Sequence, residues 1–339
     1  MLLTGFGGYD KLSYRSDIPI PVPNSNEVLI KVAACGINNT DIWTREGAYG
    51  ADEQAGWQGG AFQFPRIQGA DIVGQIVKVG ANVSTARLGA RVMVNPTLYA
   101  EGENGLFAAT YIGSEQDGGF AEYCCVPDSN AHEINSPLSD PELATFMTAY
   151  LTAEHMLNRV ELAANETVLI TGASGGVGSA LVQLARLRGA HVIAVVGKEK
   201  AEQLRGLGVD AMIFRGQDDY STALQGQLSA STVDVVADVV AGDQVAQLIN
   251  LLKVGGRYVT AGAIAGPLVS VDWRKLYLKH LTLLGATMGT QGESRQIVNY
   301  IASGKLKPLL AGVYRLEHLV QAQQEFKQKK HFGKLVVVP

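Results

Sequence analysis

"NETVLITGASGGVGSALVQLARLRGAHVIAVVGKEK", residues 165 to 200, constrains the fold of this chain more than any other stretch. Thr167 to Thr171 is a short β-rich run of the kind that makes a buried parallel strand. A glycine cluster follows at once, and Val177, Leu181, Leu184 and Leu187 then recur at helical spacing. Gly189 closes that helix, and "HVIAVV" reads as the next strand. Strand, glycine turn, helix and strand within about thirty residues form the context that a dinucleotide motif requires. Gly175 would let a pyrophosphate approach the backbone, and Gly178 would let the helix pack closely. The free N–H groups at the helix start, at the positive end of its dipole, would then bind the phosphates. A purely structural turn can carry the same glycines; the flanking strand and helix favour the nucleotide.

The end of the second strand bears on which nucleotide. An acidic residue there receives the ribose hydroxyls of NAD, and its absence opens space for a 2′-phosphate. Here Gly197 stands at the strand end, with Lys198 and Lys200 just beyond. Two ammonium groups beside a glycine suit NADP(H). Glu199 lies between them, and a solvated turn would also carry such residues.

Further α/β pattern follows. "VDVVADVV" from Val233, "GGRYVTAGA" from Gly255 and "LTLLGAT" from Leu281 read as three more strands, separated by apolar helical stretches. They imply a doubly wound parallel sheet over roughly 129 to 288. The chain before it differs. Short strands such as "EVLIKVAA" and "DIVGQIVKVG", spaced by Gly, Asn and Pro, suggest an antiparallel, barrel-like domain.

Composition narrows the function classes. With 339 residues, 47% hydrophobic and 18% charged, the chain is long enough for about two cored domains and has no disordered signature. A net charge of −4 gives no reason to expect nucleic acid. The start, "MLLTGFGGYDKL", lacks a basic n-region, and no run of about 20 apolar residues spans a membrane. Three cysteines cannot all pair with one another, which favours a reducing cytoplasm.

Taken in order, "PRIQGADIVGQIVKVG", "GGFAEYCCVP", "TGASGGVGSALVQLARLRGA", "LKVGGRYVTAGA" and "HFGKLVVVP" resemble the medium-chain dehydrogenase/reductase superfamily over essentially the whole chain. The resemblance implies a GroES-like substrate domain (1–128), a Rossmann NADP(H)-binding domain (129–288), and a return segment (289–339) that completes the first. Within Ala173-Ser174-Gly175-Gly176-Val177-Gly178, Ala173 takes the place of the first fingerprint glycine, as in quinone-reductase-like members. The superfamily divides into zinc alcohol dehydrogenases and zinc-free quinone or enoyl reductases.

Residues 34 to 50, "ACGINNTDIWTREGAYG", decide between these branches. A catalytic zinc needs three ligands of Cys, His or carboxylate type. Where the zinc enzymes carry their first Cys, this chain has Asn38; where they carry His, Ala70; where the third ligand would lie, Ala144. Residues 97 to 118 contain no Cys, so the four-cysteine structural lobe is missing. Cys35 lies three positions early, while Cys124 and Cys125 are adjacent in a strand and point to opposite faces. Buried thiol is the reading for all three.

Without a Lewis acid, hydride addition to a conjugated carbon–carbon double bond is favoured, because the enolate formed is delocalised and a few donors can stabilise it. The resemblance puts Asn38 and Tyr49 beside the nicotinamide and substrate, and both can donate to a developing oxyanion. Asp41 orders the loop. Tyr49 can also be read as an ordinary loop aromatic. Thr148 resembles a family threonine close to the nicotinamide, and a cap or packing role is its alternative. "GADEQAGWQGGAFQF", with Trp57, Phe62 and Phe64, reads as a substrate lid or a subunit contact. The expectation is a zinc-independent, NADPH-dependent reductase of quinones or enones. The alternatives are an alcohol dehydrogenase and a non-catalytic NADPH-binding protein. A homodimer is a family expectation.

Overall fold

The computed structural model describes residues 1–49, 62–100, 105–216, 219–228 and 231–339, with backbone alone for 227 and 228. The part of the aromatic loop that holds Trp57 therefore lies outside the described residues. The chain divides into two compact units, Met1–Thr148 with Thr290–Pro339, and Ala149–Gly289.

The second unit is built on six strands, all parallel. Their order is Ala211–Phe214, His191–Val196, Thr167–Ile170, Val233–Asp238, Leu252–Thr260, Thr282–Gly285. This is the doubly wound sheet of a Rossmann unit, and its central strands are continuous apolar runs because both faces are covered. Val168, Leu169 and Ile170 have no exposed surface. The helix Gly176–Leu187 is buried from Gly178 through Ala185, but Leu187 points outward at 39% exposure. The chain leaves that helix through Gly189 at φ 78°, a conformation that favours glycine. The Ala211–Phe214 strand was not foreseen from the sequence: a four-residue run without a glycine cluster or a clear helical repeat after it gives too little pattern.

In the first unit, Glu27–Gly36 pairs antiparallel with Asp71–Val79 and, along part of its length, with Tyr123–Pro127. Arg91–Val94 and Ala131–Glu133 extend the sheet beyond Asp71–Val79. The unit runs past the expected crossing at 128 for a physical reason. Ala131–Glu133 joins its sheet, and Arg91 fastens the segment that follows through Asp140 (2.7 Å), Ser136 O and Leu138 O. The return segment delivers Lys334–Val338 antiparallel to the end of Glu27–Gly36, matching Val336 to Gly36 and Val337 to Cys35. One pair departs from the antiparallel expectation. Leu310–Arg315 runs parallel to Lys334–Val338, because the helix Leu319–Gln328 intervenes and carries the chain back. Cys35 and Cys124 are buried and Cys125 is half-buried, as alternation along a strand requires. No described helix is long and apolar enough to cross a membrane.

Candidate active site

Four distant segments of the first unit meet in one buried polar cluster. The Lys334 ammonium donates to Asn38 Oδ1 at 2.5 Å and to Asp71 Oδ2 at 2.7 Å. Asn38 Nδ2 donates to the same Asp71 oxygen at 3.0 Å, and to Gly36 O at a long 3.5 Å. The other Asp71 oxygen accepts the Thr148 N–H at 2.6 Å. All four residues are at most 9% exposed. A buried ion pair holds only when further hydrogen bonds satisfy its remaining valences, and here Asn38 and Thr148 supply them. Asn38 and Thr148 are thus brought together through Asp71, which sequence reasoning passed over along with Lys334.

The backbone is cut to fit this cluster. A Cβ at Gly36 would lie 2.3 Å from Ala144 O and 3.1 Å from the Asp71 Cβ, so only glycine allows that approach. Residues 36–38, 71 and 144 therefore converge. Nearby, Asp41 in the first turn of the helix Asn39–Arg45 accepts the Asn38 N–H at 2.7 Å. Burial, the largest influence, pushes the Asp41 carboxyl up to about 7.

Tyr49 lies beyond the far end of that helix, half-buried, its ring edge-on to Trp43 with centroids 5.7 Å apart. Burial raises its phenol above the usual range. Phe62 and Phe64 close on Phe6 at 5.9 and 4.8 Å, forming a three-ring cluster.

The second unit holds the glycine-rich turn. A Cβ at Gly178 would lie 2.1 Å from Gly172 O, so the helix can sit on the turn only without one. Gly175, the N-cap, is exposed and offers no side-chain cap. Gly175 N–H bonds Gly172 O and Ser179 N–H bonds Gly175 O, while those of Gly176, Val177 and Gly178 take no backbone partner before the helix. These are the orphan donors of a helix start, aimed as an anion requires. Ala173 is buried beneath them and Ser174 is half-buried.

At the end of His191–Val196, Gly197 opens a short turn, Lys198–Lys200. Lys198 is exposed and lies 5.9 Å from the Phe214 ring centroid; Lys200 is only 9% exposed, and burial lowers its ammonium. The two lysines are therefore not equivalent. Glu199 carries its carboxylate to where a Gly197 side chain would stand, 2.3 Å from an added Cβ, and pairs with Arg215 at 3.7 Å. Arg215 follows the unforeseen strand, which is why the sequence did not bring it to this turn.

Among the described residues no group of three or more His, Cys, Asp and Glu is arranged to hold a metal ion. The turn of the second unit fits a dinucleotide phosphate by its unpartnered N–H groups and its tight glycine contacts.

Comparison with known proteins agrees with this architecture. Residues 24–136 match the alcohol dehydrogenase GroES-like domain, and residues 176–303 match the zinc-binding dehydrogenase family. A quinone oxidoreductase of Lama guanicoe is 29% identical, the match covering 98% of this chain and 95% of that protein. A crystal structure from Sinorhizobium meliloti 1021, of a protein provisionally described as an alcohol dehydrogenase, is 49% identical with a TM-score of 0.95. It covers all of this chain and 95% of its own. A 2-octenoyl-CoA carboxylase reductase in complex with NADP and 2-octenoyl-CoA is 25% identical, with a TM-score of 0.84 over 95% of this chain and 80% of its own. Fold and relatives together mark an NAD(P)H-dependent oxidoreductase. The chain belongs to the medium-chain dehydrogenase/reductase superfamily, in its quinone-oxidoreductase-like branch.

Proposed function

We propose that this chain is a zinc-independent, NADPH-dependent reductase that adds hydride to a quinone or an α,β-unsaturated carbonyl. The observation that carries the reading is the Lys334 ammonium, buried against Asn38 and Asp71. Zinc enzymes of the superfamily place ligands at the positions of Asn38, Ala70 and Ala144. Here two of those side chains are methyl groups, and the third already accepts from Lys334 and donates to Asp71. This donor set does not fit zinc, and a fixed ammonium beside it opposes a second cation.

The chemistry follows from what remains. The nicotinamide, when bound, supplies hydride, and the protein orients it and stabilises charge on oxygen. Tyr49 carries a phenol proton at neutral pH, as any tyrosine does, and burial favours that neutral form further, so it can donate to an enolate oxygen. In Asn38, Lys334 pulls on the amide oxygen while one N–H is held by Asp71. The second N–H, fixed in the same amide plane, makes only the 3.5 Å contact to Gly36 O and is the one left to donate to a substrate oxygen brought beside it. Gly176, Val177 and Gly178, seated on Ala173, Ser174 and Gly175, supply the phosphate cradle, and Gly197 with Lys198 and Lys200 supports NADPH. Thr148, tied by its N–H to Asp71, is held within the Asn38 cluster.

Elemental analysis of purified protein, with NADPH turnover over a panel of enones, quinones, aldehydes and alcohols, tests the reading. Substoichiometric zinc, enone or quinone reduction and indifference to chelators are expected. About one zinc per chain, with activity lost to a chelator, would refute it. An alcohol dehydrogenase-type reaction is the second reading, favoured by the 49% identical structure described in those words. Alcohol oxidation by a protein inert to enones and quinones would select it.

A further inference from the structure

The carboxyl ends of three adjacent strands in the second unit converge on one carboxylate. Asp238, the last residue of Val233–Asp238, has no exposed surface. Thr171, just beyond Thr167–Ile170, donates its hydroxyl to Asp238 Oδ1. Tyr258, in Leu252–Thr260, donates its phenol to Oδ2 at 2.5 Å. The N–H of Val240 reaches Oδ1 at 2.9 Å, and the N–H of Ala241 sits between the two oxygens at 3.2 and 3.1 Å. Burial, reinforced by the adjacent carboxylate, raises the Tyr258 phenol, so it remains a donor.

This network fixes a turn with an unusual backbone. Ala241 stands at φ 56° and ψ −142°, where L residues are rarely found without being held. The Val239 N–H is tied to the Thr171 hydroxyl at 3.1 Å. Ala265 N–H donates to Val240 O at 2.8 Å, which joins the turn to the loop after the next strand. The turn also rests on the start of the glycine-rich turn: a Cβ at Gly172 would lie 2.9 Å from a Val239 methyl.

The sheet order says which half of a dinucleotide this turn would meet. With the phosphates at the Gly176 helix start, the adenosine half lies over His191–Val196, towards Gly197. The other half must run the opposite way, over the ends of Val233–Asp238 and Leu252–Thr260. We infer that Asp238, with Thr171 and Tyr258, is the positioning centre for the nicotinamide half of the cofactor, holding the 239–242 turn in the shape that seats it. Asp238 is buried and does not touch the cofactor. The inference rests on the dinucleotide reading above.

Binding measured on the intact chain separates the two halves. Tyr258→Phe removes one hydrogen bond and keeps the ring; Thr171→Val and Asp238→Asn extend the series. Calorimetric titration with NADPH, 5′-ADP and 2′,5′-ADP gives the readout, with circular dichroism confirming a folded chain. NADPH affinity should fall roughly tenfold in Tyr258→Phe, the scale of one lost hydrogen bond to a charged group. The ADP ligands, which lack the nicotinamide half, should change by less than about twofold. Equal weakening of all three ligands would mean that the network only supports the fold, and no change in any would also overturn the inference. Wild-type protein that binds none of them would overturn the dinucleotide reading, and this inference with it. If Asp238→Asn fails to fold, the two milder variants decide.

Discussion

Tyr49 and the Lys198–Lys200 turn each carry a prediction at the scale of single side chains. Tyr49→Phe keeps the ring edge-on to Trp43 and deletes only the proton. Enone turnover should then fall on the order of 10²-fold, with NADPH affinity unchanged. For a quinone the loss should be smaller, because the reduced oxygen is more acidic and water can protonate it. Full enone activity in the variant would remove Tyr49 from the mechanism. At the cofactor end, replacing Lys198 and Lys200 together by Ala should weaken NADPH by roughly tenfold, the scale of one charge-assisted contact, and leave NADH nearly untouched. Lys198 should account for most of it, since Lys200 is buried. Glu199→Gln should act oppositely and tighten NADPH, because its carboxylate stands over Gly197. Parallel losses for NADPH and NADH would show that these lysines do not read the 2′-phosphate. A resemblance in the sequence singled out Asn38 and Tyr49; the partners that orient Asn38 were not legible there, since Lys334 lies 296 positions away.

The helix Asn39–Arg45 shows how one element inherits a pH dependence. Its first turn is closed by Asp41, whose carboxyl burial has raised to about 7, against an ordinary aspartate near 3.9 in the unfolded chain. Between those values the folded chain holds a proton that the unfolded chain has released. The contribution to stability is therefore greatest below about pH 4 and is lost as the pH rises through about 7. Asp41→Asn retains an oxygen to accept the Asn38 N–H and cannot ionise. Its stability should thus fall less between about pH 5 and about pH 8 than that of the parent, by a few kcal/mol at most. Urea unfolding of both proteins at the two pH values measures this, and superimposable pH profiles would sink it. Thr167–Ile170 and Gly176–Leu187 were readable together, because an apolar β-rich run, a glycine cluster and a helical repeat stand next to one another in the sequence. Ala211–Phe214 is as short as Thr167–Ile170 but is not followed by a glycine cluster and an apolar helical repeat, and the parallel pairing of Leu310–Arg315 depends on where a later segment returns.

For the whole molecule, the apolar surface of the second unit points to self-association. Thr282–Gly285 is an edge strand of the six-stranded sheet, hydrogen-bonded on one side only among the described residues. Close to it in sequence, Trp273, Tyr277 and Leu278 are each more than 60% exposed, and Leu283 on the strand itself is exposed. An open edge flanked by apolar side chains invites a second strand, and a second copy related by a two-fold axis supplies one without leaving a new edge. A dimer is the expected state. Tyr277→Glu with Leu278→Glu should shift sedimentation from dimer to monomer while the chain stays folded. A wild-type monomer at micromolar concentration would remove the expectation.

From the sequence alone came the order of most elements, the glycine turn and, through the family resemblance, the expectation of side chains unfit for zinc at Asn38, Ala70 and Ala144, because each is written in neighbouring residues. Tertiary structure alone decided what stands at that site. The Lys334 ammonium reaches Asp71 across 263 positions, since Lys334–Val338 closes against Glu27–Gly36. In the same way Arg215 comes to Glu199, and Thr171 and Tyr258 come to Asp238, through strand order. A buried charge must find its partner wherever the folded chain brings one, and periodicity carries no record of that distance.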